Sequence, residues 1–118
     1  MADELTVTAG LAYSKSGVAL QMSGTDKVTV SANFVMRIIY TVTTAGGALP
    51  LGGIAAPGYF LMQNRDATNF ILISNSGDPS LIKLKAGEYA LLRFNTGVTP
   101  YAIADTGDVD VEYFLLSD

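Results

Sequence analysis

Neither cysteine nor histidine occurs in this chain of 118 residues, and tryptophan is missing as well. Without thiols and imidazoles there is no disulfide framework, no zinc site of the usual kinds, no thiolate nucleophile and no imidazole base. Most familiar catalytic machinery is thereby excluded. Charge is also scarce: Asp, Glu, Lys and Arg make up 15% of the chain, against roughly 25% in ordinary soluble domains. Seven Lys and Arg face eleven Asp and Glu, for a net charge of -4. No basic run is present that would neutralise a row of phosphates, so no nucleic-acid partner is expected. The acidity is uneven, because residues 1–59 balance to zero while 60–118 carry the whole -4. Long apolar runs are lacking too. The longest uncharged stretch, Ile38 to Asn64, is broken by Gly46, Gly47, Pro50, Gly52, Gly53, Pro57 and Gly58, which no spanning helix of ~20 apolar residues tolerates. No membrane segment is expected. The opening Met1-Ala2-Asp3-Glu4-Leu5 has neither the basic start nor the apolar core of a secretory signal, which predicts a chain made and kept in the cytosol.

What is present is apolar and alternating. Apolar residues form 49% of the chain, which argues against disorder and suggests that some surface is covered in use. At 12.4 kDa the length predicts one domain over residues 1–118. Leu5, Val7, Ala9, Leu11 and Tyr13 share one face of an extended segment, with Thr6, Thr8 and Gly10 on the other, which reads as a first strand. Val18, Leu20 and Met22 alternate next, and Ser23-Gly24-Thr25-Asp26 reads as a turn before Val28 and Val30. Phe34, Met36, Ile38, Tyr40 and Val42 make the clearest strand, rich in residues that suit a pleated surface. Further strands are predicted at Tyr59–Gln63, Asn69–Ser74, Ser80–Leu84, Glu88–Phe94 and Val109–Leu116. Turns rich in Asn, Asp and Gly separate them at Asn64-Arg65-Asp66, Asn75 to Pro79, Lys85-Ala86-Gly87 and Asn95-Thr96-Gly97. About eight short strands with no room for crossover helices predict an all-β fold, an antiparallel β-sandwich that is jelly-roll-like, with an immunoglobulin-like sandwich as the alternative.

Candidate sites are few. Thr43 to Gly58 is long for a connection and apolar where loops are normally polar. Leu49, Leu51 and Ile54 either form an irregular edge strand tucked onto the sandwich or fill an interface with another subunit; Pro57 and Tyr59 join them as candidate interface residues. Asp105-Thr106-Gly107 resembles the tripeptide that aspartic proteases carry at their catalytic carboxylate. Only Asp108 to Asp118 follow it here, too little chain to complete such a barrel, and a turn is the expected reading. Asp108, Asp110 and Glu112 lie on one strand face, but residues two apart on a strand stand about 7 Å from each other, too far to converge on calcium unaided. A solvated acidic face that discourages wrong strand pairing is expected. Asn64 to Asn69 reads as a turn whose side chains bond their own backbone. No metal, cofactor or catalytic residue is expected.

Several of these segments together suggest a family. The opening Asp3-Glu4-Leu5-Thr6-Val7-Thr8-Ala9 leads to Leu49-Pro50-Leu51-Gly52-Gly53-Ile54 and Pro57-Gly58-Tyr59. Asn64 to Phe70, Leu84-Lys85-Ala86-Gly87-Glu88-Tyr89, Arg93-Phe94, Ala104-Asp105 and the final Glu112-Tyr113-Phe114-Leu115-Leu116 complete the set. Over most of its length the chain resembles the small virion structural proteins of tailed bacteriophages. The resemblance rests on turns and core positions. It implies a non-enzymatic β-sandwich built into the particle, either a capsid decoration (cement) protein that clamps neighbouring capsid subunits or a tail or fibre component. It also implies a homotrimer that contacts the major capsid protein or other virion proteins, made in the host bacterial cytoplasm and located in the virion.

Overall fold

The computed structural model describes residues 5–29, 35–75, 78–95 and 97–117. All ten regular elements among them are β-strands. Length set an expectation of one domain over 1–118; the chain forms two compact units, Met1–Asn33 and Phe34–Asp118.

The first unit is a hairpin of two eleven-residue strands, β1 (Leu5–Lys15) and β2 (Val18–Val28). They pair antiparallel without a break from Leu5 opposite Val28 to Lys15 opposite Val18. Ser16 and Gly17 close it, both with positive φ, 52° and 82°. That is the mirror-image two-residue turn whose twist matches the twist of the strands it joins, and glycine takes its second position without a steric penalty. The turn expected at Ser23–Asp26 does not form. Those four residues lie inside β2, opposite Gly10, Ala9, Thr8 and Val7, because an uninterrupted ladder satisfies more backbone groups than a local turn would. Val30 lies outside the described residues.

The second unit contains β3 (Val35–Val42), β4 (Gly47–Ala48), β5 (Pro57–Asn64), β6 (Ile71–Asn75), β7 (Asp78–Leu84), β8 (Tyr89–Arg93), β9 (Pro100–Ala104) and β10 (Val109–Ser117). They form two four-stranded sheets, β3-β10-β5-β8 and β4-β9-β6-β7, with every pair antiparallel. This is an antiparallel β-sandwich, as alternation implied. Its pairing is nested: β6 with β7, β5 with β8, β4 with β9 and β3 with β10, like the rungs of one long hairpin folded across two layers. The elements missing from the sequence reading are the two-residue β4 and the full strand around Tyr101-Ala102-Ile103. Phe34, and parts of the turns around Ser76-Gly77 and Thr96, lie outside the described residues.

Register decides which side chains meet. On β10, Val109, Val111, Tyr113 and Leu115 point inward and are 0–1% exposed, opposite Val42, Tyr40, Ile38 and Met36 on one side and Asn64, Met62 and Phe60 on the other. The second sheet answers with Ile71 and Ile73 of β6, Ala102 and Ala104 of β9 and Leu84 of β7, all buried. Phe60 sits at the centre, its ring 4.9 Å from Phe94 and 5.4 Å from Tyr113 in tilted arrangements, a geometry that favours aromatic pairs beyond simple burial. Pro57 and Pro100 are both the first residue of a strand, where a missing N–H breaks little of the ladder.

Asn64 is the sole buried polar side chain among the described residues. It closes β5 and joins the two sheets. Its Nδ2 donates to the carbonyls of Asn69 and Leu84, 3.0 Å each, and its Oδ1 accepts the Asp66 N–H at 2.8 Å. Its main chain also donates to Glu88 O and accepts from Gly87 N. Asp66 continues the network, its Oδ2 accepting the backbone N–H groups of Thr68 and Asn69, which holds its carboxyl below the usual aspartate range, the Asn69 bond counting most. Replacing Asn64 by Ala should therefore cost about 2–4 kcal/mol, since two buried carbonyls and one N–H lose their partner. Asn64→Asp should cost more, because it turns a carboxylate toward the same two carbonyls. Urea unfolding of both variants beside the parent tests this; equal stability of all three would show that the network is dispensable.

Candidate assembly surfaces

The residues singled out as an interface are placed one by one. Leu49 and Ile54 are each 3% exposed and belong to the core cluster, and Pro57 is buried with them. Leu51 is half-buried and packed against the same cluster. Tyr59 points outward from β5, opposite Arg93 of β8, whose guanidinium lies 4.6 Å from its ring centroid. The loop is thus folded onto its own sandwich. Leu49 N–H donates to Pro100 O and Ile54 N–H to Leu51 O, β4 pairs with the edge of β9, and the Tyr113 hydroxyl donates to Pro50 O at 2.6 Å. Burial, with Tyr40 adding to it, pushes the Tyr113 phenol well above its usual range, so it stays a proton donor to that carbonyl at any ordinary pH. Gly52 completes the turn at φ 59°, in a spot where an added Cβ would run into the Met36 sulfur.

The carboxylates do not converge. Among the described residues no group of three or more could hold a metal. Asp105 is exposed in the bend after β9, its N–H donating to Phe70 O, while Thr106 Oγ1 donates to Asn69 Oδ1. Asp110 accepts the Thr41 hydroxyl at 2.6 Å. Glu112 bridges two arginines, Oε2 to Arg37 Nε and Oε1 to Arg65 Nη1, both at 2.7 Å. Hydrogen bonds from Arg37 first and Arg65 second hold its carboxyl below the usual glutamate range. The acidic strand face is therefore partly neutralised by Arg37 of β3 and by Arg65 just beyond the end of β5.

Around that ion pair the outer face of β3-β10-β5-β8 is unusually apolar. Register puts Ile39, Glu112, Gln63 and Tyr89 in one cross-strand row, and Arg37, Phe114, Leu61 and Leu91 in the next. Val35, Ile39, Leu61, Tyr89 and Phe114 are all exposed, Ile39 and Tyr89 by 62% and 66%. Arg37, Leu61, Gln63, Tyr89, Glu112 and Phe114 surround a shallow depression of about 320 Å³. A sheet packed on one side normally alternates apolar-in with polar-out, so this face departs from the rule.

Two further features remain. Between the edge strands β7 and β8 runs an apolar cleft of about 330 Å³ lined by Ile73, Ile82, Leu92, Phe94 and Val98, with exposed Leu81 at its border. The hairpin carries a cluster of exposed apolar side chains, Met22 at 81% and Leu11 at 79% among them. Residues directly opposite share a face, so Leu11 with Met22, Tyr13 with Leu20 and Val18 opposite Lys15 lie together, and all five apolar ones are at least half exposed. The other face holds Thr8 and Thr25, whose hydroxyls are 3.2 Å apart, with Ser14, Gln21 and Ser23. Period-two alternation is the sequence signal for this stripe, and it marks a two-faced strand without showing what lies against the apolar face.

Two measurements follow from the placement of these groups. Leu49→Asp should lower the stability of the isolated subunit by over ~4 kcal/mol, since it buries an unpaired charge, whereas Ile39→Asp on the outer face should leave its melting within a degree or two. Equal melting of the two variants would contradict the burial described here. In acid, a carboxylate whose folded pKa is depressed contributes stability that is complete above its unfolded value and is lost as pH falls through the folded one. Glu112 and Asp66 should act so below their ordinary values of 4.5 and 3.8. Glu112→Gln should flatten part of the acid limb of a stability-against-pH curve, and an unchanged limb would show the pairs to be energetically silent. Compared with protein-family models, with curated proteins and with solved structures, the chain matches none.

Proposed function

We propose that this protein is a non-enzymatic structural subunit of a bacteriophage virion, a capsid decoration (cement) protein that stabilises the head by clamping neighbouring capsid subunits. The observation that carries the reading is the apolar outer face of β3-β10-β5-β8. Val35, Ile39, Leu61, Tyr89 and Phe114 lie exposed on it around the Arg37–Glu112–Arg65 ion pair. Contiguous exposed apolar surface rimmed by polar groups is what a docking face presents before it docks. The ion pair adds orientation, because charges at an interface select register and partner more than they add affinity.

The architecture suits this role. The nested strand order is read as a jelly roll, a wrapping common in particle-forming β-proteins, and resemblance of the sequence to phage virion proteins points the same way. In this reading the subunit is a homotrimer and its partner is the major capsid protein. A tail or fibre component is the second reading. It is favoured by the exposed Tyr89 and Phe114 beside the shallow depression, a surface suited to contact with other tail proteins or the host exterior.

Locating the protein in purified particles by electron microscopy separates the two readings. The expected density lies on the head, and density confined to the tail would transfer the proposal to the second. In a sedimentation assay with empty capsids, Ile39→Asp and Tyr89→Ala should each weaken binding at least tenfold while keeping the melting temperature of the free subunit. Undiminished binding by both would remove the outer sheet face from the interface.

A further inference from the structure

We infer that the outer face of β3-β10-β5-β8 is built for an acidic partner, one that sets a carboxylate flanked by apolar side chains against Arg37 and Arg65. The inference rests on the reading of that face as a docking face, and it names the chemistry of what docks there.

The cations of the chain are divided by type. All three arginines stand at this sheet, Arg37 in β3, Arg93 in β8 and Arg65 one residue beyond β5. All four lysines stand elsewhere, Lys15 and Lys27 on the hairpin, Lys83 in β7 and Lys85 just after it. A lysine is a strongly hydrated point charge, whereas an arginine fork matches a carboxylate edge to edge and is more weakly hydrated. Interfaces are accordingly enriched in arginine and depleted in lysine.

Glu112 presents two of these forks. Its oxygens take Arg37 Nε and Arg65 Nη1 at 2.7 Å each, and it is recessed, its side chain 19% exposed against 69% and 48% for the arginines. An approaching surface therefore meets guanidinium before carboxylate. Two cations around one anion leave a surplus positive charge, and each arginine has given only one of its N–H donors to Glu112. Asp110, the next acid along β10, accepts the Thr41 hydroxyl and stands about 7 Å away, on the side opposite Phe114. Register forces the rest. Arg37 shares a cross-strand row with Phe114, Leu61 and Leu91, so a partner that covers those apolar side chains also dries the guanidinium beside them. A wholly apolar partner would bury the surplus charge uncompensated, which is costly, and a basic one would add to it. A carboxylate cancels it. Because Glu112 already holds both forks in place, little side-chain freedom is left to lose on binding, and the depression between Arg37, Leu61, Gln63, Tyr89 and Phe114 gives room for an acidic side chain with apolar flanks.

The test has one arm without capsids and one with them, both on the full chain. In a nuclear magnetic resonance titration, 3-phenylpropionate should move the signals of Arg37 Nε–H, Leu61 and Phe114 with millimolar affinity. The neutral 3-phenylpropionamide should bind roughly tenfold more weakly, since a hydrogen bond to a charged group is lost. Arg37→Gln, its fold checked by circular dichroism, should remove the difference between the two probes. In sedimentation with empty capsids, raising salt from about 0.05 to about 0.5 M should weaken binding roughly tenfold through screening of the new pairs, and Arg37→Glu should weaken it more than Arg37→Gln. No shift with 3-phenylpropionate, or equal binding of its amide, would overturn the inference. Capsid binding that ignores both salt and Arg37→Gln would overturn it as well, yet would leave the docking face standing if Ile39→Asp still weakens that binding. A carboxylate-selective titration by a chain that ignores capsids would uphold the chemistry and count only against the decoration role.

Discussion

The sandwich is held in one arrangement by a single buried amide. Two antiparallel sheets packed through Val, Ile, Leu and Phe side chains can slide with little change in buried area, because apolar contact is non-directional. Asn64 removes that freedom. Its side chain reaches from the end of β5 in one sheet to the carbonyl of Leu84 at the end of β7 in the other, and its remaining groups tie down Asp66 and Asn69 in the connection to β6. Because no water reaches it, each bond there must be made in full or its loss is felt at the desolvation cost of the group. The start of the 65–70 loop and the Lys85–Glu88 turn both bond to this residue, while Arg65 N–H to Asp110 O and Lys85 N–H to Glu88 Oε1 add ties of their own.

Tyr113 does the same at lower cost for the other irregular segment. Its ring belongs to the Phe60 cluster and its hydroxyl holds Pro50, so the apolar stretch from Leu49 to Ile54 is pinned inward at one point and completes the core. That explains why a long loop can be apolar without being sticky. The apolar surface left in contact with water lies elsewhere, on the outer face of β3-β10-β5-β8, at the cleft between β7 and β8, and on one side of the hairpin.

Much of this was legible in the sequence, for reasons that can be named. Period-two alternation identified β1, β3, β5 and β10 because each has one face in a core or an apolar stripe, and the acidic alternation at Asp108–Glu112 correctly put the carboxylates outward. The reading failed where local preference and long-range pairing disagree. Ser23-Gly24-Thr25-Asp26 has the composition of a turn, yet it is mid-strand because β1 offers eleven partners in register; no local window shows that. Asn64 has the composition of a turn residue and occupies a turn, but its burial follows from β7 closing over it twenty residues later. Leu49 and Ile54 illustrate the remaining limit. An apolar loop looks the same in sequence whether it folds onto its own sheet or onto a neighbour's, and only the Pro100 and Pro50 hydrogen bonds decide it.

The same limit, applied to the two apolar surfaces, separates their roles. A core residue and an interface residue are alike in hydrophobicity, but an interface residue must be tolerable in water before assembly. The outer sheet face meets that demand by interleaving Ile39, Leu61 and Phe114 with Arg37, Gln63 and Glu112, so that no apolar side chain is far from a solvated charge. Such a face can wait for a partner and bind it reversibly. The hairpin face has no such interleaving between Lys15 and Asp26, and it belongs to strands with two open edges, the arrangement most prone to wrong pairing.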